Sequence, residues 1–162
     1  MTKTIESKIH AEARRILDVA IKADDWDETP MLFILMDDDQ LGVLPIFGHH
    51  PAEFAEALAA SNPREVLKLD PARKVVGVAL QNEGYGFNKY DAEKQAWLDA
   101  GRRIGDHPDG LETKVSTSYD GVSTSMSIFY RGSDKPDVLS EKGLLTGRVP
   151  DSLVALFEAL NR

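Results

Sequence analysis

Apolar residues recur at helical spacing near the start of the chain. Ile5, Ile9, Ala13, Ile16, Leu17, Ala20 and Ile21 share one side, while Glu6, Lys8, Glu12, Arg14, Arg15 and Asp18 cover the other. This period predicts an amphipathic helix over about residues 4–22. Asp24 to Pro30 breaks it with acids and a proline and reads as a loop. Met31 to Met36 is uninterruptedly apolar, short and bounded by turn residues, the pattern of a central strand buried on both faces. Asp37 to Gln40 turns the chain into a second strand, Leu41 to Phe47. Pro45 cannot donate to a ladder, which places that strand at a sheet edge.

Pro51 opens a helix through about Ala60 with Phe54, Ala55 and Leu58 inward, and Pro63 and Pro71 bracket a short helical turn carrying Val66, Leu67 and Leu69. Lys74 to Leu80 reads as a third strand, followed by a flexible exit rich in Gly and Asn from about Gln81 to Tyr90. Asp91 has the chemistry of an N-cap, for a helix to about Arg103 with Ala96, Trp97, Ala100 and Ile104 along one side. Two alternating runs, Leu111–Tyr119 and Val122–Tyr130, then flank Asp120-Gly121. Asp-Gly between β-favouring runs predicts a hairpin with a two-residue turn. Tyr119 would then face Val122, Val115 would face Met126 and Thr113 would face Ile128, so both apolar sets share a face. The other face carries Glu112, Lys114, Ser116, Ser118, Ser123, Ser125 and Ser127. It is expected to be solvated, or else to lie under an inserted helix or in a dimer interface. Residues 132–148 read as loop, and Pro150-Asp151-Ser152 opens a last helix with Leu153, Leu156, Phe157 and Leu160 as its stripe.

The elements predict an α+β fold: one domain over residues 1–162, with about five mainly antiparallel strands packed with helices. If residues 81–110 are an insertion, the order matches profilin-like and roadblock-like domains, whose second strand lies at the edge and first near the middle. Small secretion-chaperone-like folds compete with that assignment. Fold analogy alone implies no function.

Composition narrows the function classes. The chain has 162 residues, 42% hydrophobic and 28% charged, with 19 basic and 27 acidic residues and a net charge of −8. An acidic balance without a basic run argues against nucleic acid and anionic membranes, and leaves basic protein partners or small ligands. With no Cys, thiolate catalysis and Cys-ligated metal sites are excluded. Residues 1–25 lack the apolar core of a signal peptide, so a cytosolic location is the default expectation.

No catalytic constellation is complete. His49-His50-Pro51 follows an edge strand, where ring nitrogens could meet a metal. It resembles the His-x-His-Pro element of JAMM-type metalloproteases, but its two histidines are adjacent and no downstream Ser and Asp fall at the family's spacing. His10 is expected on the solvent side of the first helix and His107 in a turn. Asp24, Asp25, Asp27, Glu28 and then Asp37, Asp38, Asp39 could hold a cation or a basic partner if their loops meet. An EF-hand register begun at Asp37 fails at Leu41 and Gly48. Gly84-x-Gly86 lacks the third glycine and prompt helix of a dinucleotide fingerprint. The serine-rich strand face lacks a nucleophile elbow. Tyr85, Phe87, Tyr90 and Trp97 are the candidate recognition residues, because aromatics beside small residues suit protein interfaces. Neither a cofactor nor a metal is expected.

Val75–Gly86, His107-Pro108-Asp109, Gly121, Arg131-Gly132 and Val149-Pro150-Asp151-Ser152-Leu153 are similar to small uncharacterised proteins of actinobacteria and their phages. The resemblance covers roughly the C-terminal half and implies no activity. The leading expectation is a non-enzymatic cytosolic interaction or regulatory module, homodimeric, with a phage-encoded inhibitor of a host protein as one version. A metal-dependent hydrolase centred on His49 and His50 is one alternative. The other is a small-ligand sensor with a pocket near Trp97.

Overall fold

The computed structural model describes residues 6–141 and 147–162. Ile5, assigned to the first helix, and Gly143, assigned to a loop, lie outside the described residues. The chain runs α1 (Lys8–Ala23), β1 (Met31–Met36), β2 (Leu41–Pro45), α2 (Pro51–Ala60), α3 (Pro63–Val66), β3 (Val75–Gly86), α4 (Ala92–Asp99), a 3₁₀ turn (Ile104–Asp106), β4 (Leu111–Tyr119), β5 (Thr124–Tyr130), β6 (Asp137–Glu141) and α5 (Arg148–Leu160). Among the described residues the strands form one antiparallel sheet, in the order β2-β1-β3-β4-β5-β6. The fold is α+β as expected, with β2 at an edge and β1 buried on both faces.

Three layers result. On one side of the sheet Leu32, Ile34, Val78, Leu80 and Tyr119 meet Ala55 and Leu58 of α2 and Leu153, Leu156 and Leu160 of α5. On the other, Phe33, Leu35 and Ala79 meet Ile9 and Ala13 of α1. Register explains the sorting: Leu32 pairs with Leu80 and Ile34 with Val78, so even positions face one helical layer and odd positions the other. At the sheet's end, Asn161 clasps both backbone groups of Val75, accepting from its N–H at 3.2 Å and donating to its carbonyl at 3.0 Å.

Several expectations need correction. The sheet has a sixth strand, β6, within the stretch assigned to loop. Its Asp137 and Val138 pair with Ile128 and Ser127. β3 continues to Gly86, so Gln81–Gly86 is paired strand and not a flexible exit; Glu83 and Tyr85 are ladder residues opposite Lys114 and Glu112. α4 ends at Asp99, and α5 begins at Arg148, ahead of its proline. The hairpin register is offset by two residues: Tyr119 faces Thr124, Val115 faces Ile128 and Thr113 faces Tyr130. The cause is Asp120. Its carboxylate accepts from the N–H of Val122 and of Ser123, so the bend centres one residue later. Gly121 alone there takes a left-handed backbone, at φ +92. Because the offset is even, each side chain keeps its face.

The serine face is not solvated. α1 covers it, with Ser116, Ser118, Ser125 and Ser127 all buried. Small side chains let the helix approach closely, and Gly77 is the closest point: a Cβ there would overlap the Ile9 side chain. Gly77→Ala is therefore expected to lift α1 and lower unfolding free energy by about 1–3 kcal/mol, read by urea denaturation.

Candidate interaction site

The sequence-derived candidates land in different places. His50 caps α2, its Nδ1 accepting from Ala52 N–H at 3.1 Å, and His49 is exposed. Among the described residues no group of three or more His, Asp or Glu side chains is placed to hold a metal ion, so the hydrolase reading finds no ligand set there. The two acidic loops do not meet. They sit at opposite ends of β1, a six-residue strand about 20 Å long. Asp37 and Asp38 face Arg73 at 3.9 and 3.6 Å, and Asp39 binds Lys8 at 2.7 Å.

Phe87, Tyr90 and Trp97 do come together, around His107. The Phe87 ring meets His107 at 5.0 Å and Tyr90 at 5.9 Å, and Trp97 meets His107 at 4.6 Å, all edge to face. His107 Nε2 is 2.8 Å from Glu93 Oε1, and its Nδ1 accepts from Asp109 N–H, which assigns the ring proton to Nε2. The Trp97 indole donates to Arg103 O at 2.8 Å, and Arg102 stacks on its ring. Phe87 is buried. This is a miniature core for residues 87–110, a role that spacing alone does not separate from recognition. Tyr85 and Tyr90 are exposed, and Tyr85 lies alongside Gly105.

Two polar groups that the sequence places on solvated surfaces are buried. Lys114 is fully enclosed on the α1 face. Its ammonium donates to Asp25 O, lies 3.3 Å from Glu28 Oε2 and 3.6 Å from Glu83 Oε1, and sits 4.7 Å from the Trp26 ring centroid. Trp26 stacks in turn on Phe129. Burial pushes the Glu83 carboxyl above its usual range, and the bonds from Glu28 N–H and Lys114 do not overcome that. The arrangement fixes the acidic loop onto the sheet.

His10 is the second such group, and it is buried, against expectation. Its Nδ1 lies 2.6 Å from Ser118 Oγ, and its Nε2 lies 3.1 Å from Ser123 Oγ and 3.3 Å from Asp120 Oδ2. A Ser-His-Asp chain of this kind invites a catalytic reading, but Ser118 is 2% exposed beneath α1 and no substrate reaches it. The network anchors the helix to the hairpin. His10 is three residues from Ala13 and so shares its side of α1; what the sequence did not show is that this side lies on the serine face.

What remains open on this side is the flank between α1 and the β2 edge. α1 lies over β3 and β4 and leaves the β2 row uncovered, so Val43 is 50% exposed and Val19 on the helix 57% exposed. Two clefts of about 450 and 400 Å³ lie along this flank, one toward each end of α1. The larger has walls of Val19, Ala20, Met31, Phe33 and Val43, with Asp25, Asp27 and Glu28 at its rim. Gln81 also lines it, 9% exposed, and its Oε1 has no hydrogen-bond partner. A buried amide oxygen left unpaired costs roughly 1–3 kcal/mol and marks a place for a donor.

Two outcomes are expected. Burial holds His10 below its usual 6.5, helped by Arg14 and opposed by Asp120 and Glu6. The unfolded chain therefore takes up the proton first as pH falls below 6.5, and stability present above that value declines as pH drops through the lower native one. Urea midpoints measured across this range should show the decline in the native chain and lose that component in His10→Gln. Lys114→Met should cost about 3 kcal/mol, because two carboxylates lose their buried counter-charge, and should alter Trp26 fluorescence.

The chain matches no protein-family model, no curated protein and no solved structure.

Proposed function

We propose that this chain is a non-enzymatic protein-interaction module that captures a basic, apolar segment of a partner protein between α1 and β2. The observation that carries the reading is the composition of the larger α1–β2 cleft: apolar walls, an acidic rim and the unpaired Gln81 Oε1. Asp25 and Asp27 are exposed and form no ion pair among the described residues. Apolar side chains of the partner would cover Val19 and Val43, while a lysine or arginine would face the carboxylates and donate to Gln81. β2 adds an unpaired strand edge beside the cleft, with Pro45 blunting one end. The net charge of −8 favours approach of a basic partner and disfavours a second copy of this acidic chain. A host protein with an exposed basic patch is a target of the kind a phage-encoded inhibitor would need.

A synthetic peptide alternating leucine and lysine tests the reading by fluorescence anisotropy, with a leucine–glutamate peptide as control. The lysine peptide alone should bind, more weakly as salt rises, with amide shifts at Val19, Val43 and Gln81. Asp25→Lys with Asp27→Lys should weaken it by about tenfold. Equal binding of the two peptides, or shifts elsewhere, overturns the assignment. Light scattering that gives a dimer mass, abolished by Val43→Asp, would replace the foreign partner by a second copy.

A further inference from the structure

A second cleft, of opposite charge, lies on the α5 side of the sheet between the start of β3 and the last turn of α5. Its volume is about 1070 Å³, and Leu69 and Phe157 contribute apolar surface. Its rim carries Lys68, Arg73 and Lys74, with Arg64 and Arg162 close by. A chain with eight more acids than bases would scatter such cations among carboxylates if solubility alone placed them. Here they gather. Only Glu65 and Asp120 represent the other sign, and both are engaged by neighbours. Glu65 accepts from the Asn62 amide at 3.0 Å. Asp120 holds the N–H groups of Val122 and Ser123 and faces His10. Lys68 and Lys74 form no ion pair among the described residues, and Arg73 has only the long contacts to Asp37 and Asp38.

Arg64 shows how the wall is held. Its guanidinium donates to the carbonyls of Leu160, Asp70 and Arg73, tying the 70–73 segment to the end of α5. Three backbone carbonyls on one guanidinium fix the backbone at Asp70 and Arg73 that forms this wall, an arrangement that reduces the ordering cost of binding. The cleft is open to solvent and roomy enough to seat a small molecule against its wall. It pairs apolar floor with cationic rim, which suits one kind of ligand: a flat apolar body carrying a multiply charged anionic group.

We propose that this cleft binds a small phosphate monoester of an aromatic body, the phosphate between Lys68, Arg73 and Lys74 and the ring over Leu69 and Phe157. The phosphate is preferred to a single carboxylate because its charge of nearly −2 matches several cations at once. The site is separate from the α1–β2 cleft and stands or falls without it.

The probe is 1-naphthyl phosphate, followed by its fluorescence and by amide shifts, with inorganic phosphate and 1-naphthol as the half-ligands. The whole probe should bind at least about tenfold more tightly than either half, and added salt should weaken it. Shifts should centre on residues 68–76 and Asn161. Lys68→Glu with Lys74→Glu, both exposed positions, should weaken binding by about tenfold or more, while Asp25→Lys with Asp27→Lys should leave it unchanged. No binding at about 1 mM probe, equal binding of 1-naphthol, or indifference to the lysine reversals overturns the proposal. Shift mapping on the unmodified chain decides the matter even if a variant fails to fold.

Discussion

The seating of α1 on a largely polar sheet face is the constraint on which the molecule depends. An ordinary helix–sheet contact is sealed by large apolar side chains. Here Phe33, Leu35 and Ala79 make only part of the seal, and the rest is made by absence of bulk at Gly77 and by hydroxyls at Ser116 and Ser118. Ile9 fills the glycine gap, and His10 reaches sideways to Ser118, Ser123 and Asp120. Burial of His10, Ser116 and Ser118 is offset by partners, since a buried hydroxyl or imidazole without one costs more than the contact returns; Gln81 Oε1 is left without one. Specificity follows, because a helix held by directional bonds at His10 has one rotation and one depth.

That single seating determines what is open elsewhere. A helix centred over β3 and β4 cannot also cover β2, and the exposed Val43 and Val19 are the outcome. The acidic loop after α1 is then fixed by Lys114, which brings Asp25 and Asp27 to the mouth of the uncovered groove. On the far side of the sheet, Arg64 does the corresponding service for the cationic cleft. One surface is acidic and the other basic; the buried Lys114 organises the first by opposite charge, and the half-buried Arg64 organises the second through backbone carbonyls. A monopole description by net charge conceals this separation.

Much of the architecture was legible in the residues. Periodicity located α1, the apolar run located β1, and Pro45 placed β2 at the edge, each through a local rule with one physical cause. Element ends were less legible. Gln81 to Gly86 carries strand-poor residues, yet β4 pairs with it along its length, so tertiary pairing outweighs propensity. The Asp120 turn was found but misregistered, since the competition between a two-residue turn and a carboxylate capturing two N–H groups is settled by side-chain geometry. The sites were less legible still. Lys114 and His10 look like surface residues in sequence, because burial of a polar group depends on partners 86 and 108 residues away. The aromatic set of Phe87, Tyr90 and Trp97 was recognised as a group, but only coordinates show that Phe87 and Trp97 close around His107.

The distance in sequence between His10 and Ser118 has a consequence for biogenesis. α1 leaves the ribosome well before the serine face that His10 binds, which is synthesised more than a hundred residues later. Until β3 and β4 arrive, Ile9 and Ala13 have only Phe33 and Leu35 of β1 to rest on, and an isolated helix of this length is marginal in water. Closure of the α1 layer is therefore a late event, in which loop-closure entropy opposes docking until the hairpin exists. A nascent chain arrested before the hairpin would carry a greasy helix without a home, the condition in which holdase chaperones act.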